Sequence, residues 1–576
     1  MIDVVEENIK SIEKFKKLFK LYNEKKIDLA EFKPFRGAMG IYEQRTRGTY
    51  MLRIGLPAGI ISLHQFKVVS KISKKYSGGK IHITSRQDIQ FHNLAQDDLA
   101  KVMEEFLNVG ITTMRTGGDT VRNVGCSPLS GVASDEIFDV TYYAKAVSEY
   151  LCKEPSTMSL PRKYKIGFSN SYEDTGNATI SDLGFIAKIK DGKKGFEVYG
   201  AGGLGGRSRV SVKLSDFIEA KDVLYYAEAM KEVFEKEGDR ASRHKARIRF
   251  IVYRLGEEKF LKAFNDTLKK VKNELNLDLN INDKNIVGKL KDNTSEHENL
   301  HKNKLIYEDL EDKLEKDILI DENYKKQYKN ILFTQKQKGY YSVYIHPQSG
   351  NISVHNLDKI LNFLESLDYK ISIRITNTQG FFIRDLKKHG VKGLLNIIKD
   401  FSSKHNIDNS LTCSGASICQ LGLCFSQNLL KGIKEELKNE SSEVQSSLPR
   451  IFISGCPNSC GQHQKGKIGF SGKVKKTDDG LVPCYSISFG GQVASNKATI
   501  GEVFGDIPAK KIPKYLCELA KLKISLDYDD FDKFLLERKE QIKDHLVKYS
   551  VVESFKQNPD IYYDFGSSER FSIKKL

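Results

Sequence analysis

Long apolar runs are missing from this chain of 576 residues. None approaches the ~20 residues that a membrane-crossing helix needs, so no membrane association is expected. The N-terminal stretch MIDVVEENIKSIEKFKKLFK is charged from its start. It has neither an apolar core nor a small-residue cleavage pattern, which predicts a cytoplasmic protein. Proline is scarce, at 12 residues, in a composition 39% apolar and 29% charged, as in an ordinary soluble globular protein. No G-x-G-x-x-G follows a predicted strand. The nearest stretch, GGLGGRS (202–208), lacks the helix and the downstream acid of a dinucleotide site. Any redox chemistry would therefore draw electrons from a separate carrier. No nucleic-acid-binding signature accompanies the net charge of +17, so nucleic acid is not an expected partner. Acidic residues are outnumbered, 75 against 92 Lys and Arg. Such a surface serves solubility and can also attract anionic substrates or an acidic partner.

At this length one hydrophobic core is excluded and several domains are expected. An internal repeat sets their layout. RGTYMLRIGLPAGIISLH (47–64) aligns without gaps with KGYYSVYIHPQSGNISVH (338–355), sharing Gly48/Gly339, Tyr50/Tyr341, Ile54/Ile345, Gly59/Gly350, Ile61/Ile352, Ser62/Ser353 and His64/His355. Further on, KIHITSRQDIQFHNL (80–94) matches ISIRITNTQGFFIRDL (371–386). YMLRIGL and KIHIT alternate with period two, whereas HQFKVVSKISKKY and DDLAKVMEEFLNVG carry helical spacing. The predicted class is α+β, in two pseudo-symmetric halves that each open with a small α+β module. Between them, 258–330 is rich in Lys, Asn, Asp and Glu and reads as a surface linker with helical pieces. The charged segment from 520 onward is expected to pack on the outside.

Cysteines are nine, an odd number, and five lie between 413 and 460. Disulfides are rare in large cytosolic chains, so the cluster points to metal or redox chemistry. Cys413 and Cys419 form a C-x5-C pair, and Cys456 and Cys460 form a C-x3-C pair around a Pro-Asn-Ser turn. Four thiolates on two loops can hold zinc or an iron–sulfur cluster, and the five-residue gap weighs against zinc. Unligated buried thiols are the third reading. Cys424, in LGLCFSQNLL, falls on a predicted helix and reads as core.

TCSGASIC followed by SGCPNSCGQHQKGKIGFSG resembles the sulfite/nitrite reductase family, and the resemblance runs from about 36 to 515. It implies a sirohaem and a 4Fe–4S cluster. Cys413, Cys419, Cys456 and Cys460 would ligate the cluster, and Cys460 would bridge to the sirohaem iron. It also implies a division into an N-terminal helical extension (1–35), a ferredoxin-like module (36–125), a first sirohaem-binding domain (126–275), a charged linker (276–330), a second ferredoxin-like module (331–405), a cluster and sirohaem domain (406–520) and a C-terminal extension (521–576).

A carboxylate-rich macrocycle and a small oxyanion call for fixed positive charge. By motif match, Arg53, Arg122, Lys163 and Lys165 would surround the substrate anion. Arg86, Gln90 and His92 would contact the macrocycle, with Arg162, Arg207 and Asn458 near it. Arginine stays protonated and clamps oxyanions, whereas lysine can give up a proton when neighbours lower its pKa. Arg53 and Arg86 align with Tyr344 and Thr378 in the second repeat, so the first half would supply cations and the second the cluster. His92 aligns with Arg384, a further candidate carboxylate contact. GDRASRHKARIRFIVYRLG (238–256) reads as a helix against the cofactor domain without a ligand. Tyr42 and Cys126 lie in motifs near the expected pocket.

Lysine at both outer positions of Lys163-Tyr164-Lys165 resembles the sulfite-reducing branch, and a dianion needs more neutralising charge than nitrite. The CSGASIC wording resembles the nitrite-reducing, ferredoxin-linked branch. The expectation is six-electron reduction of sulfite, with nitrite as the alternative. The donor would be ferredoxin or a similar acidic carrier.

Overall fold

The computed structural model describes residues 2–279, 319–402 and 405–573. Two five-stranded sheets form the centre. The first runs Ile41–Glu43, Thr49–Ile54, Ile89–Ala95, Lys80–Ile83, and ends with Asn351–Ser353 from the other half. The second runs Leu332–Thr334, Tyr341–Ile345, Phe381–Leu386, Ser372–Ile375, and ends with Ile60–Ile61 from the first half. Each half thus covers the other's open edge, which removes unpaired backbone and fixes the halves as one body. Their apolar faces merge in one core, where Phe66 meets Phe381 at 5.5 Å between ring centroids.

The repeat extends to local detail. Ser62 and Ser353 both cap the helices that follow, Leu63–Tyr76 and Val354–Glu365. Gln87 and Gln379 share a left-handed backbone, with φ of 60° and 62°. It also reaches further than the first alignment. Two more sheets follow the modules, one with Gly125–Cys126, Ile166–Ser169, Leu183–Lys190, Lys193–Gly200 and Val212–Glu219, the other with Leu411–Thr412, Ile451–Ser454, Ile468–Thr477, Gly480–Phe489 and Glu502–Pro508. Each begins with parallel pairs and ends antiparallel. SNSYEDTGNATISDLGF (169–185) therefore occupies the place of SGCPNSCGQHQKGKIGF (454–470). A Cβ on Gly176 would stand 2.0 Å from the Phe168 carbonyl oxygen, and one on Gly461 2.0 Å from that of Ile453. Only glycine lets these two loops close.

Three readings change. Residues 258–274 are not linker: Glu257–Glu274 is a helix that buries Phe260, Phe264 and Val271 against Val223–Glu237. Of the rest of that expected linker, 280–318 lies outside the described residues, and the described end of it carries the short helix Glu322–Gln327. The segment beyond 520 is not merely external, because Phe531, Phe534, Ile542 and Leu546 join the core of the cysteine-bearing sheet. In 238–256 only Arg249–Leu255 is helical. Among the described residues no helix is long and apolar enough to cross a membrane.

Candidate functional site

Strand alternation builds the cationic wall. In Thr49–Ile54, Leu52 and Ile54 enter the core, which turns Arg53 to the opposite face, opposite Gln90 in register. In the amide orientation that satisfies both groups, the Gln90 oxygen accepts from Arg53 Nε at 3.0 Å. His82 and His92 share this face, with ring centroids 5.9 Å apart. Burial pushes them down to about 4 and about 3, so both imidazoles are neutral. Tyr164 is fully buried, and its neighbours Lys163 and Lys165 therefore point the other way.

The arginines are held by backbone carbonyls rather than by carboxylates. Arg53 Nη1 and Arg122 Nη1 both donate to the Thr116 oxygen, at 2.7 and 2.8 Å. Arg122 Nη2 donates to the Gly118 oxygen at 2.7 Å, and Arg86 Nη2 to that of Asn123 at 2.8 Å. Tyr42 accepts from the Gly118 N–H at 2.7 Å. Burial pushes its phenol up, but Arg122, Arg53 and that N–H outweigh it and leave it below its ordinary value. Burial, then Arg247, brings Lys163 down to about 7, with Cys460 opposing. Burial, then Arg86 and Lys163, takes Lys165 well below its usual range. Asp182 is the counter-charge on this side. It takes Arg247 at 2.8 and 2.9 Å and the Lys165 N–H at 2.9 Å.

The four thiols converge on the facing loops. Cys413 Sγ accepts from the Gly455 N–H at 3.1 Å. Burial raises Cys456 to about 12, and Cys460, Cys413 and Cys419 add to the rise. Among the described residues, no three or more His, Cys, Asp or Glu side chains are gathered for a single metal ion. A tetrahedral zinc with bonds of ~2.3 Å would hold its sulfurs ~3.8 Å apart, whereas a polynuclear core spreads them. Cys460 is exposed while Cys456 is buried, so the last thiol faces open space. Cys424 is core as expected, but it sits in the turn before the helix Ser426–Lys438, not on it. Cys126 is also core, its backbone bracketed by the Gln87 amide at 2.8 and 2.9 Å.

Cations and thiols meet across the halves. Ser85, beside Arg86, donates to the Cys460 oxygen at 2.9 Å, and Gln462 returns a bond to the Ser85 oxygen at 3.0 Å. Gly205 in the glycine run exchanges two bonds with the Gln464 side chain, at 2.7 and 3.1 Å. The Asn458 carbonyl also borders Gly205. Arg162 stands at the rim, paired with Asp119 at 2.5 Å. Arg207 is exposed and faces the Tyr253 ring at 6.0 Å. The buried places behind it belong to Arg247 and Arg249. Arg249 carries an unpartnered Nη1. Both lie in 238–256, where no ligand was expected; the signal was there in KARIRF, which repeats arginine at alternate positions. Arg384 gives its Nη1 to the Pro128 and Ser130 oxygens, at 3.2 and 3.0 Å, and its Nε has no partner. Sequence reasoning also missed Arg45. Its N–H donates to Ile418 O at 3.1 Å, and its Nη2 reaches Gly422 O at 3.2 Å and Cys419 O at 3.4 Å.

Buried polar atoms left without partners include Arg86 Nε, Arg122 Nε, Arg249 Nη1 and His92 Nδ1. Unspent donors among crowded buried cations call for a partner, and a bound anion supplies one. A macrocycle carrying carboxylates fits that requirement, and the four thiols fit an iron–sulfur core.

Comparison with known proteins agrees. The family model described as nitrite and sulphite reductase 4Fe-4S domain matches residues 117–272. The nitrite/sulfite reductase ferredoxin-like half domain matches twice, over 42–109 and 333–401. The chain is 25% identical over 483 residues to the chloroplastic ferredoxin–nitrite reductase of Arabidopsis thaliana, covering 81% of this chain and 75% of that one. It is 25% identical over 472 residues to the ferredoxin–nitrite reductase of Leptolyngbya laminosa, covering 80% and 83%. The solved structure of the Mycobacterium tuberculosis NirA protein has the same fold, with a TM-score of 0.73 at 20% identity, over 93% of this chain and 97% of that one.

Proposed function

Because the chain belongs to the nitrite and sulphite reductase family, with sirohaem and a 4Fe–4S cluster as its cofactors, we propose that it reduces nitrite to ammonia with electrons from ferredoxin. The observation that carries this reading is the meeting of unpaired buried cations with four thiols around the exposed Cys460. Nitrite is preferred to sulfite because the relatives named above are ferredoxin–nitrite reductases. When bound, the cofactor pair stores electrons and offers an iron to the substrate.

The protein's own part is charge and protons. Cys413, Cys419, Cys456 and Cys460 would hold the cluster, and Cys460, the exposed one, would be shared with the macrocycle iron. Arg86, Gln90, His92, Arg247 and Arg249 would meet the macrocycle carboxylates, with Arg162, Arg207 and Asn458 at the rim. His92 would offer a hydrogen bond from its ring. Arg53 and Arg122, anchored through Thr116, keep unspent donors for the substrate oxyanion. Full reduction of nitrite to ammonium takes six electrons and eight protons and releases two waters. Lys163, at about 7, can give a proton and regain one from solvent near neutral pH.

Sulfite is a second reading, favoured by Lys165. Its ammonium is suppressed by burial and neighbouring cations, and a dianion beside it would restore the charge. Side-by-side turnover of nitrite and sulfite by the holoenzyme with reduced ferredoxin tests both. Higher kcat/KM for nitrite is expected. A colourless iron-replete protein, or turnover of neither anion, would overturn the proposal.

A further inference from the structure

One carboxyl lies inside the cationic wall. Asp88 is 4% exposed, and its N–H donates to Thr84 Oγ1 at 3.1 Å. Its Oδ1 has no partner, and neither has the buried Asn123 Oδ1. The charged groups that face it come from three elements: Arg53 from Thr49–Ile54, Arg86 from the turn after Lys80–Ile83, and Arg122 from the segment before Gly125.

The repeat shows what Asp88 is for. In the second half its counterpart is Gly380, where a Cβ would meet the Ile345 carbonyl oxygen at 2.5 Å, the Tyr344 ring at 2.7 Å and its hydroxyl at 2.8 Å. Tyr344 stands where Arg53 stands in the first half. The space at this position is thus shared with the side chain of the oxyanion-facing arginine. Where Arg53 and Arg86 give way to Tyr344 and Thr378, the carboxyl gives way to glycine. Carboxyl and arginines are present together in one half and absent together in the other.

We infer that Asp88 is a positioning residue for substrate binding, the internal counter-charge to Arg53, Arg86 and Arg122 that sets the net charge the oxyanion meets. Ionised, it offsets part of the charge of guanidiniums that backbone carbonyls hold in place, and weakens the field on the anion. Protonated, it leaves the same arginines uncompensated, and the anion binds more tightly. Burial pushes this carboxyl up to about 6, inside the working range of the protein. Oxyanion binding would then draw a proton from solvent, and affinity would rise as pH falls through that value.

The inference rests on the proposed placing of Arg53 and Arg122 at the substrate. The test is nitrite binding to the resting holoenzyme, followed by its visible spectrum and by calorimetry from pH 5 to pH 8. Nitrite remains an anion over this range, so the titration belongs to the holoenzyme, and the variants assign it to Asp88. In the wild type the Kd should weaken about tenfold from pH 5 to pH 8, with a step near 6 and a second near 7 from Lys163. Asp88→Asn should lose the lower step and keep the upper one, and Asp88→Glu should restore it. Should neither variant fold, calorimetry of the wild type in two buffers of different ionisation enthalpy still reads the proton uptake near pH 6. An unchanged lower step in Asp88→Asn, or wild-type binding without proton uptake, would overturn the role of Asp88 alone. No binding at any pH would overturn the functional reading and this inference with it.

Discussion

Two lysines on one face of a short extended segment differ in what surrounds them, and that difference predicts their behaviour. Lys163 is lowered to about 7 by burial first and by Arg247 next, so its acid form is present below that value and is lost above it. If it delivers protons, kcat/KM falls as pH rises through about 7. A bound anion favours the ammonium, so the corresponding limb in kcat should lie higher. Lys163→Met should remove the limb and lower kcat by about 100-fold or more, by pH–rate profiles. Lys165 is also taken well below its usual range, by burial first and then by Arg86 and Lys163, and a bound anion would favour its ammonium. Exchanging it for a neutral amide takes away the charge that a dianion could induce. Lys165→Asn should therefore reduce kcat/KM for sulfite about tenfold more than that for nitrite. Equal losses on the two substrates would defeat the view that this side chain discriminates between them.

At the scale of elements, chemistry was legible where residue type and turn signals coincide. The cysteine pairs stood out by their spacing, whereas Arg53, Arg122 and the two lysines were picked out by the resemblance of their motifs to the family. Less visible was anything that depends on which strand meets which. The exchanged strands Ile60–Ile61 and Asn351–Ser353 are too short to carry a period, and their partners lie in the other half. The second stretch of the repeat was hidden by divergence, since Ser171 and Thr175 occupy the places of Cys456 and Cys460. Arg45 belongs to the same class: it looks like a surface charge in EQRTRG until the loop 418–422 folds against it. Its guanidinium and N–H satisfy three carbonyls of a loop whose Leu421 is 70% exposed and so contributes little packing. Arg45→Ala should leave the fold intact but loosen Cys419. Bleaching of the cluster absorbance by an iron chelator should speed up about five- to tenfold, equivalent to about 1–1.4 kcal/mol. An unchanged bleaching rate would mean that the loop holds itself.

For the whole molecule, the two halves divide the work. The first contributes positive charge, the second thiols, and the reciprocal strand exchange holds them face to face. On the proposed function, a separate electron carrier would approach the thiol-bearing side of a chain whose net charge is +17. Much of that charge is lysine on the surface, where ions screen it over ~10 Å at 0.1 M salt. An acidic carrier would be steered at low ionic strength and released from steering as salt rises, mainly through its rate of association. The KM for ferredoxin should thus climb about tenfold between 20 and 300 mM salt while kcat changes little. The anion pocket responds differently. Its cations are buried, so the KM for nitrite should move far less over the same range. The contrast between the two substrates, measured on one holoenzyme preparation, separates long-range docking from buried recognition. A KM for ferredoxin that stays flat with salt would show that the carrier is held by packing rather than by charge.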